Sequence, residues 1–245
     1  MHSGIYTAYS GLKAQMDALD MLANNLANIN TAGFKEQKAF FTALNLALDG
    51  ANAPQLDAAI NTHEVLAKSA LNFTEGSLVE TRRDLDLALV GNGFLAVETP
   101  AGVRYTRNGN LATDARSVLC TSEGWPVLGA SGRIVLRPGK VNINEDGEIL
   151  VDGARVDRLQ VSAFDDPASL IPQGSSLLAP ARNDQTPKPA SGVTVKQGFQ
   201  EQSNVNPVLA TVRMVEIMRR FEAIQKSISL MFNDMDSKAI EKLPR

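Results

Sequence analysis

The chain has 245 residues, of which 44% are hydrophobic and 21% are charged, and these values exclude a largely disordered or collagen-like protein. Its 24 Lys and Arg residues oppose 27 Asp and Glu residues, giving a net charge of -3 without long runs of one sign. We therefore expect no nucleic-acid partner. One cysteine, Cys120, and two histidines, His2 and His63, exclude an intramolecular disulfide and leave few residues for a zinc site or a Ser-His-Asp triad.

The first segment predicts a helix from about Ser3 to about Ile29, because its apolar residues follow heptad spacing. These residues are Ile5, Leu12, Met16, Leu19, Leu22, Leu26 and Ile29. Gly33 is expected to end the helix, since glycine readily takes the left-handed backbone conformation that closes a helix. Residues 36–75 either continue a helix or form a connector, and Pro54 favours an irregular, partly extended connector.

The middle of the chain, residues 76–197, predicts an antiparallel β domain, because short alternating stretches are separated by glycine-rich turns. We expect three hairpins, with turns at residues 100–102, 122–124 and 146–147. Residues 167–192 contain five prolines and several small polar residues. This composition predicts an extended loop.

The last segment predicts a second helix, which begins near Pro207 and is capped by Asn204 or Asn206. Its apolar residues alternate in spacings of four and three, which keeps them on one seam of a helix. They are Ile217, Phe221, Ile224, Ile228, Met231 and Met235.

Two stretches partly match motifs for ligand binding, but each departs from its motif. Residues 91–96 begin like a dinucleotide-binding loop, but they lead into a predicted strand where a helix N-terminus is needed. Residues 142–153 mimic a calcium loop, but Asn142 is neutral at the first position and Gly153 replaces the bidentate glutamate. We therefore predict no catalytic, cofactor-binding or metal site, no small-molecule substrate and no enzyme activity.

The N-terminus lacks the basic and apolar regions of a cleaved secretory signal, and no stretch reaches the ~18 apolar residues of a membrane span. We expect no membrane span, and either a cytoplasmic protein or export without signal cleavage. Apolar seams at both ends also need a covering surface. They serve either a closed dimer, which uses one self-complementary patch, or head-to-tail contacts that propagate into a filament.

Three stretches of the chain resemble bacterial flagellar rod and hook proteins. The first is residues 23–35, ANNLANINTAGFK, which matches the N-terminal signature of that family closely. The second is central, with residues 89–97, LVGNGFLAV, followed by residues 105–109, YTRNG. The third is residues 198–206, GFQEQSNVN, followed by a family-like C-terminal segment. Together these matches cover most of the chain in the order of the family.

The resemblance implies an α+β fold, with long N- and C-terminal helices packed as a coiled coil and a central, mainly antiparallel β domain. The implied divisions are an N-terminal helix over 1–35, a connector over 36–75, a β-rich domain over 76–197 and a C-terminal helix over 198–245. Both helices are expected to line an inner tube. The implied function is a structural subunit of the flagellar basal-body rod, which polymerises through its terminal helices and transmits torque from the motor to the hook.

The resemblance also implies partners and a location. The partners are other rod subunits, further copies of the chain and the type III export apparatus, and the location is the basal body in the periplasmic space. The Asn204-Val205-Asn206-Pro207 turn and the modest length favour the proximal rod type, with a distal rod or hook-type subunit as the alternative. Asn24, Asn25 and Asn28 are candidates for amide hydrogen bonds between subunits, or else solvated helix-end residues. With the two apolar seams they form the predicted assembly interface.

Overall fold

The computed structural model describes residues 2–41, 67–174, 176–182 and 185–241. In these ranges two α-helices occur, α1 (His2–Ala27) and α2 (Pro207–Glu241), with a short 3-10 helix at Pro167–Ser169. The strands are β1 (Gln37–Phe41), β2 (Ala67–Leu71), β3 (Leu78–Glu80), β4 (Leu87–Val90), β5 (Phe94–Thr99), β6 (Gly102–Thr106), β7 (Leu111–Thr113), β8 (Leu119–Thr121), β9 (Leu128–Gly129), β10 (Gly132–Arg133), β11 (Val141–Ile143), β12 (Glu148–Val151), β13 (Ala154–Arg158), β14 (Val161–Ala163), β15 (Leu170–Pro172), β16 (Leu177–Pro180), β17 (Lys188–Pro189), β18 (Thr194–Gln197) and β19 (Phe199–Glu201).

The strands form small antiparallel sheets around one larger sheet. The larger sheet has six strands in the order β15-β16-β6-β5-β14-β17, and β11-β12-β13 form a three-stranded sheet. Two-stranded sheets pair β1 with β2, β3 with β19, β4 with β18, β7 with β8 and β9 with β10. The chain divides into two compact units. One unit comprises residues 1–26, 37–70 and 206–245, and the other comprises residues 27–36 and 71–205.

Strand β5 separates two hydrophobic cores in the second unit. Successive side chains of a strand point to opposite faces, so Leu95 and Val97 enter an aliphatic core while Phe94 and Ala96 enter an aromatic one. Other members of the aliphatic core are Leu87, Leu89, Leu111, Leu119, Val127, Ile134, Leu136, Ile143, Ile149, Val151, Leu159 and Val195. The aromatic core includes Tyr105, and its ring lies edge-on to Phe164 with centroids 4.8 Å apart.

The start of α2 is fixed by a side-chain cap. Asn206 precedes Pro207, and its side-chain Oδ1 accepts a hydrogen bond from the Leu209 amide over 3.1 Å. Pro207 suits the first helical position, where the amide would be unpaired. Of the two caps that the sequence allowed, Asn206 is therefore the one used, and Asn204 makes other contacts.

The predicted fold class is wrong. The described ranges contain nineteen strands and two helices, and no coiled-coil packing of the terminal helices is seen in them. The reason is that heptad spacing defines a helix face but not the surface that covers it. In α1 the deeply buried apolar positions among the described side chains are Ala14 and Ala18, with 6% and 2% of their surface exposed, whereas the heptad residue Met16 is 50% exposed.

The hairpin predictions fare better than the loop prediction. The first and third hairpins are confirmed, since β5 pairs with β6 and β11 pairs with β12. The second hairpin also forms, since Cys120 bridges Pro126 and the Val127 amide donates to the Leu119 carbonyl over 2.8 Å, although β8 pairs along its length with β7 as well. The extended loop at 167–192 is wrong, because β15, β16 and β17 lie within it. Most of the predicted connector, residues 42–66, lies outside the described residues.

Candidate assembly site and its buried anchor

A buried charge cluster ties together distant parts of the second unit. The Glu201 carboxylate is 1% exposed and contacts the Lys35 ammonium, with Oε1 and Nζ 2.6 Å apart, and the Arg107 guanidinium at 3.1 Å. The Gly76 amide also donates to Glu201 Oε1 over 2.9 Å. We call these four groups the Glu201 cluster. Two cations share one carboxylate, so each cation depends on Glu201 for neutralisation.

The two cations make further hydrogen bonds inside the protein. Lys35 Nζ also donates to the Thr74 carbonyl over 2.9 Å. Arg107 donates through Nε to the Gly93 carbonyl over 3.0 Å and through a terminal nitrogen to the Gly91 carbonyl. These bonds compensate part of the cost of removing a charged group from water. The Glu201 cluster is therefore structural, and its cations are not available to an external ligand.

Gly33 lets the chain pass directly over the Arg107 backbone. Its φ is +67°, and a Cβ there would lie 2.3 Å from the Arg107 carbonyl carbon and 2.4 Å from the Asn108 nitrogen. The Gly33 amide donates to the Glu201 carbonyl over 2.8 Å. Glycine is required here for both conformation and space. The sequence analysis expected Gly33 to end the first helix, but α1 already ends at Ala27. Gly33 instead permits the close approach to Arg107.

A layer of neutral hydrogen bonds lies beside the cluster. The Asn204 side chain accepts from the Glu36 amide over 2.7 Å and donates to the Asn72 and Thr74 carbonyls over 2.7 and 3.0 Å. The Asn72 amide donates to the Glu36 carbonyl over 2.8 Å. We call residues 33–36 the N-terminal anchor and residues 201–204 the C-terminal anchor. The two anchors are therefore held together by charged and neutral bonds.

Burial sets the protonation chemistry of Lys35. It lowers the pKa of the ammonium group below its ordinary value of 10.5, and the hydrogen bond to Glu201 offsets this only in part. The folded chain thus binds this proton more weakly than the unfolded chain, so the contribution of Lys35 to stability rises with pH between the lowered pKa and 10.5.

We expect Lys35→Met to lose this alkaline rise. The free energy of unfolding of the wild type minus that of Lys35→Met should increase as the pH is raised from neutral toward 10.5. Tyr105, whose pKa is raised by burial, is present in both chains and cancels in the difference. Denaturant titrations at a series of pH values measure the difference, and a flat curve would contradict the assignment.

The predicted interface residues of α1 occupy different environments. Leu12, Leu19, Leu22, Leu26 and Ile29 are half-buried, as is Asn28, while Asn24 is exposed. Asn25 is 1% exposed. Its side chain donates to the Gln37 carbonyl over 2.8 Å and accepts from the Gln37 amide over 2.9 Å, so its amide is engaged within the chain.

The α2 seam is half-buried where the structure describes it, at Ile217, Phe221 and Ile224. The side chains of Ile5, Ile228, Met231 and Met235 lie outside the described ones. The sequence analysis missed a second apolar stripe on α2, at a different angle around the helix. We call it the α2 stripe, and it consists of Val208 (72% exposed), Leu209 (45%), Val212 (50%), Val215 (45%) and Met218 (48%).

The spacing of the α2 stripe was a usable signal. Leu209, Val212, Val215 and Met218 follow one another at intervals of three residues, which places them on a broad face that drifts around a 3.6-residue helix. The sequence analysis selected only the residues spaced alternately by four and three, and so it left this face out. Exposed aliphatic side chains grouped on one helix mark a surface suited to contact with another apolar surface.

Two further properties of the described residues bear on function. No group of three or more His, Cys, Asp or Glu side chains among them is arranged to hold a metal ion. Within the same ranges, no helix combines the length and the apolar character that crossing a membrane requires.

Family models match three regions of the chain. Residues 5–35 match the flagella basal body rod protein model. Residues 88–151 match the D1 domain model of the flagellar hook protein FlgE/F/G group, and residues 196–241 match the C-terminal model of the flagellar basal body rod FlgEFG proteins. The first and last matches contain the two anchors, at least in part, and the central match contains Arg107.

Relatives match over nearly the whole chain. The flagellar basal-body rod protein FlgF of Caulobacter vibrioides is 35% identical, with 96% of each chain covered. FlgF of Mesorhizobium japonicum is 32% identical over 91% of this chain and 90% of its own, and the rod protein FlgG of Bacillus subtilis is 29% identical over 94% and 95%. The chain belongs to the flagellar basal-body rod protein family. The resemblance seen in the sequence is thereby confirmed for the family.

Proposed function

We propose that this structural subunit of the flagellar basal-body rod polymerises through its two terminal helices and transmits torque from the motor toward the hook. The observation that carries the proposal is the α2 stripe, whose aliphatic side chains are about half exposed or more. Covering each such side chain stabilises an assembly by up to ~1.5–3 kcal/mol. A single chain that leaves these residues in water gains that energy only on contact with another subunit.

The proposed interface includes the apolar seams. They comprise Ile5, Leu12, Met16, Leu19, Leu22, Leu26 and Ile29 in α1, and Ile217, Phe221, Ile224, Ile228, Met231 and Met235 in α2. To these we add the α2 stripe, because a helix with apolar residues on more than one face suits a subunit with several neighbours. Asn24, Asn25 and Asn28 complete the set; the Asn28 side chain also accepts a hydrogen bond from the Thr31 hydroxyl over 3.2 Å.

The remaining features of the proposal are supported by membership of the rod family. The partners are other rod subunits and further copies of the chain, and the subunit reaches the periplasmic part of the basal body through the flagellar export apparatus. It acts as a building block and not as an enzyme. We assign it to the proximal rod type on the Asn204-Val205-Asn206-Pro207 turn and the modest length.

We expect Val212→Glu to weaken assembly by about 100-fold or more, since burying an unpaired carboxylate at an apolar contact costs on the order of 3 kcal/mol. Sedimentation of the purified chain over a range of concentrations measures self-association. Complementation of a deletion strain, followed by imaging of the basal body, measures rod completion. The substitution does not lower helix propensity, so loss of α2 is not expected.

Gln225→Glu is the matched control, because it adds the same charge at an exposed polar position of α2. It should assemble and complete the rod as the wild type does. Normal rods from Val212→Glu would contradict the proposed role of the α2 stripe. Two results together would instead identify a closed dimer. The purified chain would keep one fixed, small mass at all concentrations, and cells that lack the protein would swim normally.

A further inference from the structure

The N-terminal and C-terminal anchors meet at a single place in the second unit. The N-terminal anchor follows α1 in the chain, and the C-terminal anchor precedes α2. Their contacts join residues 166 positions apart, as in the bond between Lys35 and Glu201. A force applied in opposite directions to the residues just outside the two anchors therefore acts on these contacts.

We propose that the Glu201 cluster is a mechanical clamp, which holds the two anchors together under load and opens before the hydrophobic cores of the same unit. The load itself rests on the proposed function, whereas the opening force is a property of the single chain. The clamp can thus be tested without any assembled rod.

The bonds of the clamp share one carboxylate. Glu201 Oε1 accepts from Lys35 and from Gly76, and Oε2 accepts from Arg107. The Glu201 main-chain carbonyl accepts from the Gly33 amide. Two of these four bonds, from Lys35 and Gly33, join the anchors, and the other two tie Glu201 to Gly76 and Arg107. Separating Glu201 from Lys35 therefore exposes a charge and removes support from its neighbours. Such a set opens in one step and not bond by bond.

The cores beneath the clamp are held differently. Neither Lys35 nor Glu201 belongs to the aliphatic or the aromatic core, whose buried residues come mainly from β4 to β16 and β18, with Leu71 of β2 in the aromatic core. Strand β5 pairs with β6 over five residue pairs and also with β14. Glu201 itself ends β19, which pairs with β3 over three residue pairs. Pulling the anchors apart therefore acts first on the Glu201 cluster and this short strand pair, and only afterwards on the longer strand pairs of the cores.

Single-molecule force spectroscopy tests the clamp. Handles are attached through Asn30→Cys and Val208→Cys, both at exposed positions, in a chain whose native Cys120 is replaced by Ser. The full-length chain should show two events, a short extension as the anchors part and a longer one as the β domain unfolds. In Glu201→Gln we expect the first event at less than half the wild-type force, with the second event shifted much less.

Two further variants keep the result decisive. If Glu201→Gln does not fold, Lys35→Met removes the ion pair between the anchors while the Glu201 pair with Arg107 remains, and it should also lower the first force. Glu98→Gln removes a carboxylate from the exposed Glu98–Arg133 pair and should leave both events unchanged.

A single event in the wild type, with the anchors and cores separating together, would overturn the proposal. An unchanged first force in both Glu201→Gln and Lys35→Met would do the same. Failure of the proposed function has a different signature, because a chain that forms no rod in cells can still show the two-event pattern.

Discussion

Replacing Glu201 by Gln is expected to lower the free energy of unfolding by about 3–5 kcal/mol, the cost of removing one partner from a buried ion pair. The substitution keeps the size of the side chain, but it leaves the buried cations of Lys35 and Arg107 facing a neutral amide. The loss is a large part of the stability of a typical domain. Urea denaturation followed by circular dichroism measures it.

The control for this prediction is again Glu98→Gln. Glu98 forms a close pair with Arg133, and both side chains are well exposed to water, so the denaturation midpoint should barely move. Equal losses in the two variants would show that burial does not govern the strength of the Glu201 cluster. A Glu201→Gln chain as stable as the wild type would contradict the proposed anchoring role.

Gly33→Ala is expected to be the next most damaging change, with a loss of about 2–5 kcal/mol from a left-handed backbone and a steric overlap together. The added methyl group would lie 2.3 Å from the Arg107 carbonyl carbon, and backbone atoms cannot move aside as a flexible side chain can. The N-terminal anchor must then shift away from Glu201. Thermal unfolding measures the loss of stability, and hydrogen exchange at the anchors locates the shift.

Gly124→Ala separates the two causes of this loss. Gly124 has a φ of +86°, and a Cβ there would meet no atom within 4 Å, so only the conformational cost of about 1 kcal/mol remains. A Gly33→Ala chain that loses no more than Gly124→Ala would show that the close approach to Arg107 is unimportant.

Local features of the fold were predictable from sequence. Asp146-Gly147 at the turn between β11 and β12 supplied the residue types that tight hairpins need, and Gly147 takes a φ of +79°. Asn206 before Pro207 supplied a helix cap with its usual residue types. In both cases the signal lies within a few neighbouring residues, where local physics dominates.

Long-range pairings were not predictable. Nothing in one sequence links Lys35 to Glu201, because a buried ion pair between distant positions leaves no periodic trace. The residues themselves lay inside the stretches that resemble rod proteins, but their roles came only from the structure. Likewise, the proline-rich region at 167–192 contains strand β15, which ends in Pro172 at an edge of the six-stranded sheet. An edge strand tolerates proline better than a central one.

The buried faces of the helices were predictable only in part. The spacing of the leucines described a face of α1, but the most buried apolar positions among its described side chains are the small residues Ala14 and Ala18. Small side chains permit close approach of another element, and hydrophobicity alone undervalues them. The seam therefore marked apolar character without marking the position of closest packing.

The placement of β5 between two cores also disfavours a shift in the register of this strand during folding. If this strand slipped by one residue against its neighbours, every side chain would change compartment. The ring of Phe94 would then be forced among aliphatic residues, while Leu95 would be too small for the space among the aromatic rings. Both misfits would destabilise the shifted register, so the two cores together favour the correct register of β5.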